Sequence, residues 1–407
     1  MKSTEKAKIF QSSLNFIIFV ILGVICYYYL IEDAIKKSEK GATTITSRQE
    51  KSDFEYPAII ICQYPGFKPS LSKVLKYTAK DLFRSETSDK HFFGNKTVPQ
   101  VFEENTYGNS ITISGLDGNK TVIPLKEGET KFKFGNVTEI VRLKKVLTLG
   151  IGTCHVIFLE NENMRHLLVE YKDPINSSDV PGHSNVYILP KNEWQGIVTN
   201  YWQGEQPFKF DTSSYFFPST ILFHSTMNKF YPLNPSSEES PASTQCIDIN
   251  SIKKIRKDQK CKEVCIPIQL SSLFDLSEIK ICLDYENHFC AYYQIQWYIY
   301  KLSREKQILC TKENATKSYK GQVTYSDGIP YWITNQVTEE RRNNILFFMR
   351  WTFDSDHITV QQEELMYGPK DLLSWIGGAL GIFVGYSIFD LTSLIFDWIF
   401  QFVCQII

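Results

Sequence analysis

The sequence predicts an α+β membrane protein in which two transmembrane helices flank a large, disulfide-rich extracellular domain. Two long apolar runs, Leu14–Ile31 and Leu372–Phe400, lie near the ends of the 407-residue chain. Eight of the ten cysteines and all five sequons for N-linked glycosylation lie between these runs. Paired cysteines and glycans are typical of segments exported from the cytoplasm. Both termini are therefore expected on one side of the membrane and the central segment on the other.

The composition excludes several classes of protein. Lys and Arg number 44 and Asp and Glu 45, so the net charge of −1 lacks the basic excess of a nucleic-acid binder. With 43% hydrophobic residues, the chain is also not predicted to be disordered. No nucleophile elbow, phosphate-binding loop, dinucleotide fingerprint or zinc-protease motif occurs, and the seven histidines are scattered. We therefore expect neither an enzyme nor a cofactor or metal.

The first apolar run has 18 residues without a charge, and three lysines precede it. A cleaved signal peptide, the alternative, has a shorter apolar core and a small-residue cleavage site. This run ends instead in Tyr27-Tyr28-Tyr29, and tyrosines are enriched where helices meet the membrane surface. The sequence therefore predicts a cytoplasmic N-terminus at residues 1–13 and a first transmembrane helix at residues 14–31.

The second apolar run carries only Asp390 and Asp397 as charges. As a helix it could reach roughly 43 Å, which is more than the hydrocarbon core of a bilayer, so it must tilt, break or project from the membrane. We expect a second transmembrane helix at residues 371–400, a short cytoplasmic C-terminus at residues 401–407, and an extracellular domain at residues 32–370.

The extracellular assignment depends on cysteines and sequons. An even set of cysteines in an exported segment predicts four disulfides, although the spacing alone leaves the pairing open. A zinc site at Cys261 and Cys265 is the alternative, but no second pair follows at zinc-ligand spacing. The cysteines concerned are Cys62, Cys154, Cys246, Cys261, Cys265, Cys282, Cys290 and Cys310, and the sequon asparagines are Asn95, Asn119, Asn136, Asn176 and Asn314.

Local patterns predict a domain rich in strands. Tyr56–Gln63 is a short apolar run with β-branched residues, Asn344–Phe353 alternates from Ile345 on one face and Leu346 on the other, and Val146–Phe158 is a third candidate strand. Ser251–Ile266 favours a helix that carries Cys261 and Cys265 one turn apart, and Pro232–Ser243 favours a loop.

Small residues form a stripe along the second run. At 100° per residue, Ser374, Gly377, Gly378, Gly381 and Gly385 share one narrow sector of a helix. A helix-dimerisation face is one interpretation, and copies that meet around a narrow symmetry axis are another. A helix break at Gly385 and Ser387 would expose backbone carbonyls beside a hydroxyl, which suits a cation filter.

Acidic residues lie on both sides of this stripe. Asp390 and Asp397 are one heptad apart in the run, and acids inside a membrane are costly and usually functional. Glu363 and Glu364 precede the run, where they could raise the local concentration of cations in a vestibule or simply be solvated.

These residues resemble the epithelial sodium channel and degenerin family of amiloride-sensitive sodium channels, which includes the acid-sensing ion channels. The resemblance runs from the first apolar run to the end of the chain. Three passages carry it: Phe54–Ser70 (FEYPAIIICQYPGFKPS) after the first run, the strand that begins at Asn344 with the ITVQQE segment after it, and Leu372–Ser387, which ends in G-x-S. The order, spacing and cysteines together are specific, whereas no single passage is.

The resemblance implies a trimer, homomeric or mixed with related subunits, that passes sodium and has a β palm and a helical thumb, here at residues 246–310. It implies a selectivity filter at Gly385-Tyr386-Ser387, a gate or degenerin position at Ser374, and a position tied to amiloride block at Gly381. It also implies four disulfides, namely Cys62–Cys154, Cys246–Cys310, Cys261–Cys290 and Cys265–Cys282.

Several departures from the family pattern keep other functions open. The His-Gly gating motif is absent before the first run, Tyr386 is bulkier than the usual middle residue of the filter, and Ser393 stands where the family has an acid. A modulatory or non-conducting glycoprotein subunit is one alternative. An ATP-gated two-span channel is another, although it would lack the G-x-S span. The stimulus for gating is not predicted.

Overall fold

The computed structural model describes the central part of the chain in ten segments. They are residues 43–51, 54–71, 93–148, 151–172, 183–199, 207–213, 218–231, 265–272, 280–304 and 316–365, with the single residues Ile21, Glu32, Cys261, Ser374 and Gly378. The chain divides into two compact units. One combines Met1–Ser47 with Gln361–Ile407, and the other is Arg48–Val360.

Strands dominate the described segments. In chain order they are β1 (Thr43–Lys51), β2 (Ala58–Tyr64), β3 (Ile111–Leu116), β4 (Val122–Pro124), β5 (Gly128–Phe134), β6 (Val137–Thr148), β7 (Gly152–Phe158), β8 (His166–Tyr171), β9 (His183–Leu189), β10 (Phe208–Ser213), β11 (Ser219–Tyr231), β12 (Thr316–Asp327), β13 (Ile345–Phe353) and β14 (His357–Leu365). The α-helices are α1 (Val98–Glu104), α2 (Gly196–Thr199), α3 (Ile268–Ser271), α4 (Tyr285–Arg304), α5 (Tyr331–Thr334) and α6 (Glu339–Arg342).

The larger unit is a sandwich of two β-sheets. One sheet has the order β14–β11–β13–β8–β3–β4, with β12 also paired to β11, and the other has the order β10–β9–β2–β7–β6–β5. Strands β11 and β13 run parallel. The main core lies between the sheets, where Ile59 and Val186 of one sheet belong to the same buried cluster as Phe347 and Trp351 of the other.

Helices cover the outer face of the second sheet. Ile197 of α2, Leu270 of α3 and Ile295 of α4 form a buried cluster with Val156 of β7 and Trp194. A separate aromatic cluster lies where α4 begins, because Phe289 contacts Phe93 and Tyr285. The helices therefore depend on the sheet for the burial of their apolar side chains.

Two of the predicted strands are confirmed, with one local difference. Tyr56–Gln63 corresponds to β2, which is buried over Ala58–Gln63 because strands covered on both faces need no polar side. Asn344–Phe353 corresponds to β13, but its register against β8 shifts between Ile345 and Phe347. This bulge places Ile345 in the same outer cluster as Phe348, so the predicted alternation is wrong at the start of the strand.

Two other local predictions are wrong. Val146–Phe158 is not one strand, because β6 ends at Thr148 and β7 begins at Gly152, which takes a φ of +81° that favours glycine. Cys261 and Cys265 are not helical: Cys261 lies in a bend, and Cys265 precedes an isolated bridge between Ile266 and Ile281. The rest of the predicted helix before Cys265, and the predicted loop at residues 232–243, lie outside the described residues.

In the smaller unit, β1 lies beside β14. The Thr46 hydroxyl donates a hydrogen bond to the carbonyl oxygen of Gln362 at 3.3 Å. Most of the two apolar runs lies outside the described residues, of which Ile21, Ser374 and Gly378 are helical. Among the residues that can be described, no helix is both long and apolar enough to cross a bilayer.

Candidate functional site

Two members of the predicted small-residue stripe belong to the described structure. Ser374 and Gly378 are both helical and exposed. They are four residues apart, so they lie on the same face of the helix one turn from each other. A Cβ atom added to Gly378 would meet no atom of the described residues within 4 Å. These residues therefore leave room for a larger side chain at Gly378.

The remaining pore residues that the sequence singles out lie outside the described residues. These are Gly377, Gly381, Gly385, Tyr386, Ser387, Asp390 and Asp397.

The predicted vestibule acids lie on β14, the strand that leads toward the second apolar run. Glu363 is partly buried and Glu364 is exposed, as expected for neighbouring residues of a strand that point to opposite faces. The strand beside β14 is β1, which follows the first apolar run. The chain segments that connect the two apolar runs to the sandwich therefore meet as paired strands.

An aromatic cluster lies in the larger unit, among residues that follow β1 and precede β14. Phe54 and Tyr56 follow β1, and Phe353 ends β13 just before β14. The ring of Phe353 lies 5.7 Å from that of Phe54 and 5.9 Å from that of Tyr56. Such ring contacts are worth roughly 1 kcal/mol each beyond the burial of area. The cluster thus ties the chain after β1 to the chain before β14.

Disulfides hold the sandwich and its covering helix. Cys62 of β2 is bonded to Cys154 of β7, directly opposite each other in neighbouring strands. Cys261–Cys290 and Cys265–Cys282 connect α4 and the residues before it to the segment that carries α3. These are three of the four pairings that the family resemblance implies. Cys246 and Cys310 lie outside the described residues.

A lysine connects the α3 segment to the sheet. The Lys144 ammonium of β6 donates to the carbonyl of Ser272 at 2.5 Å and lies 4.5 Å from the ring centre of Trp194. Burial lowers the pKa of Lys144, and the nearby Glu127 carboxylate opposes this shift. One charged group therefore connects β6 with Trp194 and with the segment that carries α3.

Glu139 of β6 is a buried acid. It is 1% exposed, its Oε2 accepts a hydrogen bond from the backbone N–H of Met164 at 3.1 Å, and its Oε1 has no partner in the described part of the chain. Burial raises the pKa of this carboxyl to about 7, although the backbone N–H groups of Met164 and Asn161 act in the opposite direction. The group therefore changes its charge near neutral pH.

Two buried histidines are kept neutral by the same effect, burial, which lowers the pKa of a base. The Nε2–H of His155 donates to the carbonyl of Gly108 at 2.8 Å, which fixes the tautomer because a carbonyl only accepts. Burial lowers the pKa of His155 to about 4 and that of His288, which lies against Phe102, to about 3. No group of metal-binding side chains occurs among the residues that the structure describes.

The sequons that can be placed lie in exposed turns. Asn95, Asn119 and Asn136 are all exposed, while Asn176 and Asn314 lie outside the described residues. The first of the three precedes α1, and the other two lie in the β3–β4 and β5–β6 connections.

Sequence reasoning missed the buried acids. In β6, Glu139 lies two residues before Val141 and four before Leu143, so the period of two already places it on their apolar face. In β8, Glu170 follows the apolar residues Leu167, Leu168 and Val169 without a polar break. An acid at an inward position of an apolar strand is the signal that could have identified both residues.

Comparison with known proteins confirms the family resemblance over the C-terminal part of the chain. Residues 222–396 match the family model described as amiloride-sensitive sodium channel. This range begins in β11 and includes the thumb-like cysteines and most of the second apolar run. The family is one of membrane channels and not of enzymes.

The other comparisons give less information about this chain. A search of curated proteins found no match. Forty-one chains of solved structures match. One is a cryo-EM structure of a proton-activated chloride channel, with 8% sequence identity and a TM-score of 0.37 over 96% of this chain and 98% of that chain. A similarity this low supports no argument about the present chain.

Proposed function

We propose that the chain is one subunit of a trimeric, sodium-selective, amiloride-sensitive cation channel of the plasma membrane. Helices at residues 14–31 and 371–400 cross the membrane, residues 32–370 lie outside the cell, and residues 1–13 and 401–407 lie in the cytoplasm. The trimer contains three copies of this chain or combines it with related subunits.

The observation that carries this proposal is the family match at residues 222–396. That range includes Ser374, Gly381 and the Gly385-Tyr386-Ser387 segment, so the residues assigned to gate, blocker site and filter all fall within it. Ser374 and Gly378 are exposed, and no described residue lies within 4 Å of a Cβ atom added to Gly378, which supports a helix face that other copies cover.

In the proposed pore, three copies of Gly385 and Ser387 surround the axis. Their carbonyl and hydroxyl oxygens replace water around a sodium ion, which is how oxygen-lined filters select cations. The carboxylates of Asp390 and Asp397 below the filter, and of Glu363 and Glu364 above the membrane, raise the local concentration of cations.

Gating from the extracellular domain uses the paired strands β1 and β14. Because each strand is next in sequence to one of the proposed spans, a change in their pairing would act on both spans at once. The contacts of Phe353 with Phe54 and Tyr56 hold together the chain that follows β1 and the chain that precedes β14.

Current recording from the purified chain in planar bilayers tests the proposal. We expect an amiloride-blocked current that is larger for sodium than for potassium, and an altered sodium-to-potassium ratio in Gly385→Ala or Ser387→Ala variants. A variant of the exposed Glu103 of α1, Glu103→Gln, serves as the control that leaves the ratio unchanged. Absence of current, both alone and with related subunits, would contradict the proposal.

A further inference from the structure

The turns that carry Asn119 and Asn136 are in direct contact. The backbone N–H of Gly118 donates to the carbonyl of Lys133 at 2.8 Å, and a Cβ atom added to Gly118 would lie 3.0 Å from the Cα of Phe134. Asn119 follows Gly118, and Asn136 is two residues after Phe134. With about 3.8 Å between consecutive Cα atoms, the Cα atoms of the two asparagines lie at most roughly 16 Å apart.

Both turns are well defined. In the first, the Asp117 carboxylate accepts hydrogen bonds from the backbone N–H groups of Asn119 and Thr121, at 3.0 and 2.7 Å. The ammonium of Lys120 lies 5.2 Å from the ring centre of Trp332, which holds this turn against α5. In the second, Gly135 takes a φ of +61° in the two-residue connection between β5 and β6.

These turns lie at the same edge of the sandwich, as the described strands form it. Strand β4 ends one sheet and β5 ends the other, and in the described part of the chain each pairs with a single neighbour. Unpaired edges invite association with other strands. Strand β4 is only three residues long and ends in Pro124, and β5 exposes Glu129, Lys131 and Lys133. Short length, proline and charge all discourage pairing at an edge.

We infer that Asn119 and Asn136 form a paired N-glycosylation site that covers this edge and keeps it free of contact with other subunits. The inference rests on the extracellular placement in the proposed function. The side-chain amides of both asparagines are exposed, and each sequon continues into an accessible threonine, Thr121 or Thr138.

The covalent step is the transfer of an oligosaccharide from a polyprenyl diphosphate donor. The amide nitrogen of Asn119 or Asn136 forms a bond to the anomeric carbon of the first sugar, and the bond from that carbon to the diphosphate oxygen breaks. The diphosphate leaves with the bonding electron pair, and the amide nitrogen loses one proton. No oxidation or reduction occurs.

Site occupancy is tested with the full chain expressed in eukaryotic cells. Asn119→Gln and Asn136→Gln should each remove one glycan, and the double variant should remove two, as read by glycosidase digestion and mass spectrometry. Thr121→Ala and Thr138→Ala should have the same effects without replacing the asparagines, which guards against a folding defect. Asn95, exposed before α1, is the internal control. Glycan at Asn95 with none at Asn119 and Asn136 overturns this inference alone, whereas no glycan at any sequon overturns it together with the proposed topology.

Shielding is tested by labelling with a membrane-impermeant amine reagent. In the double variant, Lys131 and Lys133 should react several-fold faster than in the glycosylated protein, while the exposed Lys68 should react at the same rate in both. The oligomer should keep its subunit number without these glycans. Equal labelling of the two lysines with and without glycans, or loss of the oligomer in the double variant, would contradict the covering role.

Discussion

The guanidinium of Arg341 in α6 holds the carboxylate of Glu170 in β8 with two hydrogen bonds. The Nε–Oε1 distance is 3.1 Å and the Nη2–Oε2 distance is 2.6 Å. Glu170 is only 3% exposed, so the ion pair with Arg341 offsets the cost of burying its carboxylate. Because α6 immediately precedes β13, and Glu170 pairs with Ile345 in that strand, the ion pair fixes the start of β13 next to its bulge.

Replacing Arg341 should therefore destabilise the domain. We expect Arg341→Met to lower the free energy of unfolding by about 2 kcal/mol, the range of a charged hydrogen bond whose buried partner is left alone. Arg341→Lys keeps the charge but not both hydrogen bonds, so it should lower the free energy of unfolding by less than Arg341→Met does. The matched control is Arg142→Met, which breaks the exposed pair with Glu129 and should cost less than about 1 kcal/mol. Equal losses in thermal unfolding experiments for Arg341→Met and Arg142→Met would contradict the role of the pair.

The disulfides should differ in their contributions to stability. Cys62–Cys154 closes 92 residues and Cys265–Cys282 closes 17. In the chain-entropy model these loops correspond to about 4.6 and about 3.1 kcal/mol. Both cysteines of a pair are replaced with Ala and not with Ser, because serine would place a hydroxyl at the fully buried position of Cys62.

The double variants therefore give a direct ranking by chemical denaturation. Loss of Cys62–Cys154 should lower stability more than loss of Cys265–Cys282, and peptide mapping under non-reducing conditions should recover Cys62 joined to Cys154. A free Cys62, or Cys62 joined to a thumb-like cysteine, would show that this pairing is wrong.

The strands that could be predicted are those whose neighbours in sequence already define them. β2 is an unbroken β-branched run, and the later part of β13 alternates, so composition and period alone identify both. The start of β13 could not be predicted because its bulge is set by pairing with β8. Strand β8 ends at Tyr171, 174 residues before Ile345.

The hairpin of β6 and β7 shows why apolar runs can mislead. Both strands are apolar next to the turn, and the connection at residues 149–151 contains no charged residue, so the two strands look like one.

For the candidate site, the family resemblance supplied the disulfide pairs that spacing alone left open. It could not supply the burial of Glu139, which depends on the segment around Met164 covering β6.

Glu139 should make stability fall as the pH rises. Its pKa is about 7 in the folded chain and near the ordinary value of about 4.3 when unfolded, so the folded state binds the proton more tightly. Stability is therefore greatest below about pH 4 with respect to this group, and is lost as the pH rises toward 7. At about 1.4 kcal/mol per pKa unit, the total loss is on the order of 3 kcal/mol.

Glu139→Gln removes this ionisation and keeps a carbonyl for the Met164 N–H. We expect the variant to have a higher thermal midpoint than the unmodified chain at pH 8, and a much smaller difference at pH 5. The exposed Glu103→Gln is the control and should leave the midpoint nearly unchanged at both values. A difference between Glu139→Gln and the unmodified chain that is the same at pH 5 and pH 8 would rule out titration of Glu139 as the cause.

Gly378→Ala separates a lone helix from a helix packed against other copies. In a helix without neighbours, the change should stabilise by about 1 kcal/mol, because alanine has the higher helix propensity. No described residue lies within 4 Å of the added methyl group, and in the proposed trimer the face of Gly378 packs against another copy. We expect the variant to weaken the trimer, measured as a shift toward monomer by light scattering in detergent. A trimer of unchanged or higher stability would place this face toward lipid.

Ser374 should govern how firmly the pore shuts. It shares a helix face with Gly378, so three copies of a larger side chain would crowd the proposed axis. Closely packed contacts tolerate added volume poorly, and this cost falls mainly on the narrower closed state, which shifts the population toward open. Ser374→Phe, or a bulky thiol adduct on Ser374→Cys, should therefore increase the resting cation current. Ile376→Phe is the matched control, because helical spacing places it 200° around from Ser374. If Ser374→Cys does not react with extracellular thiol reagents, and Ser374→Phe leaves the current at the level of Ile376→Phe, then this face packs against protein or lipid and does not line the pore.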